Sequence, residues 1–263
     1  MTATAVVLEL PARVTTPRRV VGALARLEAL RIVRHPAFLL GLLGTLYTLL
    51  QERGADMQQY WMLSGQAFAT LGATTFLAAF LNASRVSRDR AGELYAALPA
   101  GDASRTGAIL LSLGAAAGVA TLVTAIAWLL AVGPDGRIVI ELETLAPSLL
   151  EPAQVPLIVI AFGALGVCFG RWTPQPILAP LLTITVWVGP IAWSIPWVSM
   201  QTVPSLPYNT DWVVGSAAWH LVFLAGVIAT ASALALLRDV RRPEPILAAA
   251  AGALAVALGL ALA

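Results

Sequence analysis

The residues with which this chain could do chemistry are few and far apart. His220 falls inside an apolar run, eight residues after Trp212, and His35 stands at the edge of another, just before Pro36. An imidazole at such a position can contact a substrate, sense pH or hydrogen-bond to a neighbouring helix. The single cysteine, Cys168, lies in an apolar run, so neither an internal disulfide nor a cysteine-based zinc site can form. Gln66, Thr70 and Thr74 recur at i, i+4 and i+8, Thr183 and Trp187 at i, i+4, and Thr121 and Thr124 make a shorter pair. Polar stripes of this kind line a cavity for an amphiphile or hold helices together. Gln66, Thr70, Thr74, Thr183, Trp187 and His220 are the candidates for a translocation path.

Catalysis finds no support. The chain has no G-x-S-x-G elbow, no H-E-x-x-H helix and no pair of carboxylates at helical spacing on a buried face. No metal site can be proposed from two distant histidines. All sixteen basic residues are arginine, so a P-loop of the G-x-x-x-x-G-K-[ST] type cannot exist here. The chain reads as a non-enzyme that binds no cofactor itself.

The most informative polar stretch is 83–106, ASRVSRDRAGELYAALPAGDASRT, with Arg85, Arg88, Arg90 and Arg105. It is the one long polar segment enclosed by two membrane-length runs. Within it, Glu93 to Leu98 are good helix formers, Gly92 precedes them and Pro99 follows. Leu94, Tyr95 and Leu98 share a face, to be packed on the protein's own helix ends or on a partner.

The elements that position these residues follow from composition. Hydrophobic residues make up 59% of 263 residues and charged ones only 11%, against about a quarter charged in soluble domains. That implies an all-α polytopic membrane protein, whose spans need about 20 apolar residues each. After a mixed tail, 1–17, a basic helix over 18–35 carries Arg19, Arg26, Glu28, Arg31 and Arg34 beside an apolar stripe, and suits the interface next to anionic lipid. His35-Pro36 breaks it. Six spans are expected at 36–50, 61–82, 107–132, 153–170, 176–197 and 212–237, the fifth kinked by Pro180, Pro190 and Pro196. The alanine-rich run 246–263 either adds a seventh span or lies along the surface. The N-terminus lacks the basic and apolar regions of a cleaved signal peptide.

Arginine sets the orientation. With the N-terminus cytoplasmic, fourteen arginines fall inside and only Arg53 and Arg137 outside, while Trp61, Trp128, Trp193, Trp197 and Trp212 gather at the outer interface. Read this way, no span contains Asp, Glu or Arg, which argues against ion-driven pumping. The lysine-free, Ala- and Gly-rich composition points to a GC-rich bacterium, and so to a bacterial cell membrane.

The basic helix RLEALRIVRHPAFLLG, two spans and then the loop R-x-R-D-R-A-G-E-L-Y-A-A-L-P resemble the permease subunits of ABC-2 type ABC transporters. The likeness covers roughly residues 18–240. It implies an elbow helix before the first span, a permease domain over 36–240 and a coupling loop at 83–106. Arg88, Asp89, Arg90, Gly92, Glu93, Leu94, Tyr95, Leu98 and Pro99 would then meet a separate ABC ATPase subunit that binds ATP and Mg. A second permease copy or a sister permease would complete the path for an exported amphiphilic or hydrophobic compound. The run 246–263 departs from the usual six spans. The alternative from the residues alone is a non-transport scaffold or assembly protein; nucleic acid is not an expected partner.

Overall fold

In a computed structural model, residues 17–51, 57–88, 101–131, 142–192, 216–239 and 243–262 are described. They form eight helices and, among these residues, no strand. The helices are α1 (Pro17–Val33), α2 (Pro36–Gln51), α3 (Met57–Arg88), α4 (Asp102–Ala131), α5 (Leu142–Trp172), α6 (Leu178–Ala192), α7 (Ala217–Leu237) and α8 (Pro243–Leu262). Five contain stretches long and apolar enough to cross a bilayer: Ala67–Arg85, Asp102–Ala127, Leu149–Trp172, Ala217–Leu237 and Pro243–Ala261. Leucines such as Leu40, Leu43, Leu111, Leu122, Leu181 and Leu254 lie exposed on the outside of the bundle. Hydrocarbon covers such a surface without penalty, whereas water would not. The architecture is that of a multi-pass membrane protein.

Glycine sets how closely the central helices approach. A Cβ on Gly166 would collide with the carbonyl oxygen of Phe76, and one on Gly170 would stand 2.6 Å from that of Phe80. Gly72 lies in the same way under the ring of Phe162. The pairs 72 with 162, 76 with 166 and 80 with 170 advance together, so α3 and α5 run parallel. Small residues let backbones meet like this in lipid, where packing rather than water exclusion drives association. Phe76, Phe80, Phe162, Phe223 and Leu224 fill the centre beside this contact.

The other helices alternate in direction around that pair. On α2, Gly41 lies against Thr74, and the Thr45 hydroxyl donates to the Ala67 carbonyl at 2.8 Å, which makes α2 antiparallel to α3. On α4, Leu113 packs over Gly163 of α5. α8 runs antiparallel to α7: Gly252 meets Gly226 and Thr230, and Gly259 meets the backbone of Phe223. The alanine-rich run is thus a helix fitted closely along its neighbour, and its alanines and glycines are what permit the fit.

Three expected boundaries move. α3 continues to Arg88 and α4 already begins at Asp102, so Arg85, Arg88 and Arg105 stand on helix ends and the connection shrinks to 89–101. Asp102 in the first turn of α4 favours this earlier start through the helix dipole. The acidic stretch before residue 153, outside the expected span, is helical from Leu142, with Pro147, Pro152 and Pro156 inside α5. Proline ends most helices in water, but lipid-buried helices tolerate it when neighbours supply the packing. α1 and α2 form a bent pair, with a 57° change of direction at the His35-Pro36 break. His35 Nδ1 accepts a hydrogen bond from the Ala37 amide at 3.2 Å, which gives this imidazole a helix-capping role. The described α6 spans 15 residues, and 193–197 of the expected fifth span lie outside the described residues.

These contacts predict a sharp contrast among glycine variants. Gly166→Ala should destabilise the protein by about 1–3 kcal/mol, because backbone cannot yield to the new methyl. Gly118→Ala, whose Cβ meets nothing within 4 Å, should be neutral or stabilising by up to about 1 kcal/mol. Thermal unfolding in detergent measures both, and equal effects would contradict the α3–α5 packing.

Candidate functional site: an ionic end and a buried polar level

Apart from Glu151, the charged residues whose side chains are described lie on α1 or at the helix ends that meet at one end of the bundle. Asp239, just past α7, is nearly buried; its Oδ1 accepts from Arg171 Nη2 of α5 at 2.5 Å, and its Oδ2 accepts from the Thr106 hydroxyl of α4 at 2.5 Å. One carboxylate therefore joins the ends of three helices. Next to it the Trp172 indole N–H donates to the Leu234 carbonyl at 2.9 Å, a second link between α5 and α7. Both charges are deeply placed, with side-chain exposures of 12% for Arg171 and 4% for Asp239. Such a pair is stable only when both partners are present.

A second tie holds α1 to the end of α3. Glu28, which borders the apolar stripe of the first helix, is turned inward and is only 8% exposed. Its Oε2 accepts from Asn82 Nδ2 at 2.7 Å, its Oε1 pairs with Arg31, and Arg85 Nη2 stands 3.9 Å away. Arg19, Arg26, Arg31 and Arg34 remain exposed, alongside Leu27 and Leu30. The inward stripe of α1 continues from Glu28 to the fully buried Ile32, which puts the only acid of this helix where it can be paired.

These two ties flank the segment 89–101. Asn82 and Arg85 precede it on α3; Asp102, Arg105 and Thr106 follow it on α4, where Arg105 Nη1 pairs with Asp102 at 3.3 Å. The candidate coupling residues Asp89, Arg90, Gly92, Glu93, Leu94, Tyr95, Leu98 and Pro99 lie outside the described residues, and Arg88 closes α3.

Of the candidate path residues, Thr74 and Thr183 have hydroxyls whose hydrogen bonds are described. The Thr74 hydroxyl donates to the Thr70 and Leu71 carbonyls of its own helix and rests against Gly41 of α2, so it serves the α2–α3 contact. Thr183 likewise donates to Ala179 at 2.7 Å, and Thr124 to Ala120 at 2.8 Å. Thr70 is half-buried; the side chains of Gln66 and Trp187 lie outside the described residues. The hydroxyls of Thr74, Thr124 and Thr183 bond the preceding turn of their own helices, a habit that sequence spacing does not distinguish from cavity lining. Gly166 and Gly170 serve a contact within the chain, whereas Gly114 and Gly118 face open space.

His220 has company that its sequence neighbours do not disclose. It is 1% exposed on α7, with its ring 5.5 Å from that of Phe223. On the adjacent, parallel α5, Glu151 and Gln154 are 1% and 0% exposed. The expectation that no span holds an acidic residue is thereby corrected: Glu151 belongs to the apolar stretch Leu149–Trp172. Its helical spacing with Val155, Ile158 and Phe162 is visible in the sequence, but Pro152 makes the stretch look like a loop. Among the described residues, no three His, Cys, Asp or Glu side chains form a metal-binding group.

No family model, curated protein or solved structure matches this chain.

The ionic end predicts an asymmetry between two carboxylates. Asp239→Asn should destabilise by about 3 kcal/mol or more, because Arg171 is left buried beside a neutral group. Glu28→Gln keeps the Asn82 contact and leaves Arg31 free to reach solvent, so its effect should be smaller. Denaturation midpoints of the two variants provide the comparison.

Proposed function

We propose that the chain is the permease subunit of an ATP-driven ABC exporter of the ABC-2 type. It would pair with a second copy or a sister permease and take its energy from a separate ATPase subunit. The observation that carries the reading is that the two helix ends on either side of 89–101, Arg88 and Asp102, lie beside polar ties at the charged end of an apolar bundle. A load applied to that segment passes at once to α3 and α1 through Asn82 and Glu28. On its other side it passes to α4, α5 and α7 through Thr106, Asp239 and Arg171. Helix ends so tied are suited to transmit the movement of a motor docked between them, and a chain without lysine has no P-loop with which to be its own motor.

In this reading the charged end is cytoplasmic in a bacterial cell membrane, as the arginine distribution favours. α1, bent 57° away from α2, is the interfacial elbow, its exposed arginines beside anionic headgroups. α2 and α6 complete six core spans, and α8 adds a seventh that puts the C-terminus outside. Glu93, Leu94, Tyr95 and Leu98 are the docking residues on the ATPase, which supplies the site for ATP and Mg. The cargo is amphiphilic or hydrophobic.

Two measurements test this. An ABC ATPase co-expressed with the chain should co-purify with it, and Glu93→Arg or Leu94→Asp should abolish both that association and transport. Loss of transport with the ATPase still bound would refute docking at this segment. For topology, a reporter fused after Ala263 should read as extracytoplasmic, and a cytoplasmic signal would remove the seventh span.

A further inference from the structure

α1 presents two unlike faces. Glu28 and Ile32 point into the bundle and are buried, where α1 packs against α4 and α3. On the other side Arg19, Arg26, Leu30 and Arg34 recur at i, i+7, i+11 and i+15. In a helix of 3.6 residues per turn that spacing keeps them within about 80° of one another. Leu27 borders the same face, and all five side chains are exposed, the two leucines by 54% and 49%. The one acid of α1, Glu28, is committed on the inner side to Asn82 and Arg31. The described ion pairs engage Arg31, Arg85, Arg105 and Arg171, and leave Arg19, Arg26 and Arg34 outside them.

The place of α1 says what this outward face meets. α2 is antiparallel to α3, and α3 closes with Arg88 at the ionic end, so α2 starts at that end. α1 therefore joins the bundle at an edge of the apolar layer, and the 57° bend at His35-Pro36 takes it off the line of α2. Water would leave Leu27 and Leu30 unfavourably exposed, and hydrocarbon would strand three guanidinium groups. The headgroup boundary suits both: leucines reach the first methylenes, while arginine stems hold their charges at phosphate height. Three cations on one face, with no acid among them, are not balanced by a zwitterionic headgroup, whose own ammonium repels them. An anionic phospholipid does balance them, and its phosphodiester takes paired N–H···O bonds from a guanidinium. Each arginine near an anionic surface favours it about fivefold, so three together favour it on the order of a hundredfold.

We infer that the outward face of α1 is a docking surface selective for anionic phospholipid. Arg19, Arg26 and Arg34 hold the phosphates, and Leu27 and Leu30 seat among the acyl chains just below. This rests on the interfacial placement of α1 proposed above and makes the neighbouring lipid a specific partner. Because Glu28 ties the inner face of the same helix to Asn82, the bound lipid stands one helix away from the end of α3.

The experiment uses the whole chain alone in a non-ionic detergent, without an ATPase, so that a negative result leaves the coupling proposal standing. Native mass spectrometry reads its affinity for phosphatidylglycerol and for phosphatidylcholine with matching acyl chains. The wild type should favour phosphatidylglycerol at least tenfold, and glycerol phosphate in large excess should not displace it. Arg26→Gln should lower the preference about fivefold, whereas Arg238→Gln, exposed at the end of α7, should leave it unchanged. The triple variant Arg19→Gln, Arg26→Gln, Arg34→Gln should bring the two affinities within twofold of each other. Should the triple variant fail to fold, a fluorophore on Ala23→Cys, exposed on the same face, keeps the arginines in place. In nanodiscs, doxyl-labelled phosphatidylglycerol should quench it several-fold more than doxyl-labelled phosphatidylcholine. Equal affinities in the wild type, a preference that survives the triple variant, an equal loss in Arg238→Gln or displacement by glycerol phosphate would each overturn the surface. Equal quenching by the two lipids would also overturn it while keeping α1 at the interface, and quenching by neither would remove the interfacial placement itself.

Discussion

The carboxylate of Asp239, held between Arg171 and Thr106, is the interaction on which the arrangement of the helices most depends. It brings one end of α5 against one end of α7 and draws the start of α4 to both. Charges at that depth cannot be left alone: separated from each other they would have to find water, and the helix ends would have to part to admit it. The same logic applies to Glu28, whose bonds to Asn82 and Arg31 fasten α1 to the end of α3. The apolar remainder of the bundle tolerates sliding far better than these ends do, because apolar contacts exchange for one another and ion pairs do not.

Between the two ends, glycine decides which helices touch backbone to backbone. Phe76 and Phe80 present carbonyls to Gly166 and Gly170, and Gly226 meets Gly252 across α7 and α8. α5 is consequently central, in contact with α3, α4 and α7, and it also carries both Arg171 at the ionic end and Glu151 at the other. α5 thus carries an ionisable residue near each end of its apolar stretch, Leu149–Trp172.

The helical class, the break at His35-Pro36 and most of the span positions were legible from hydropathy and proline. The alanine content of 246–263 makes its hydropathy ambiguous, yet glycine is what lets α8 seat on α7. Two kinds of feature were not legible. The inward turn of Glu28 depends on Asn82 and Arg85, distant in sequence. The burial of Glu151 was concealed by Pro152, because a proline beside a glutamate reads as loop unless the surrounding packing is known. Spacing alone does not separate the two roles of a threonine stripe: a hydroxyl that bonds its own preceding turn, as that of Thr74 does, has the same spacing as one that lines a path.

In the proposed function, 89–101 receives the motor between the tied ends of α3 and α4. Hydrogen exchange of the chain in nanodiscs, with and without an associating ABC ATPase, tests it most directly. Amides of 89–101 should exchange more slowly when the ATPase is added, while peptides at the Glu151 and His220 level keep their rates. Binding of the ATPase with no change in 89–101 would contradict the account.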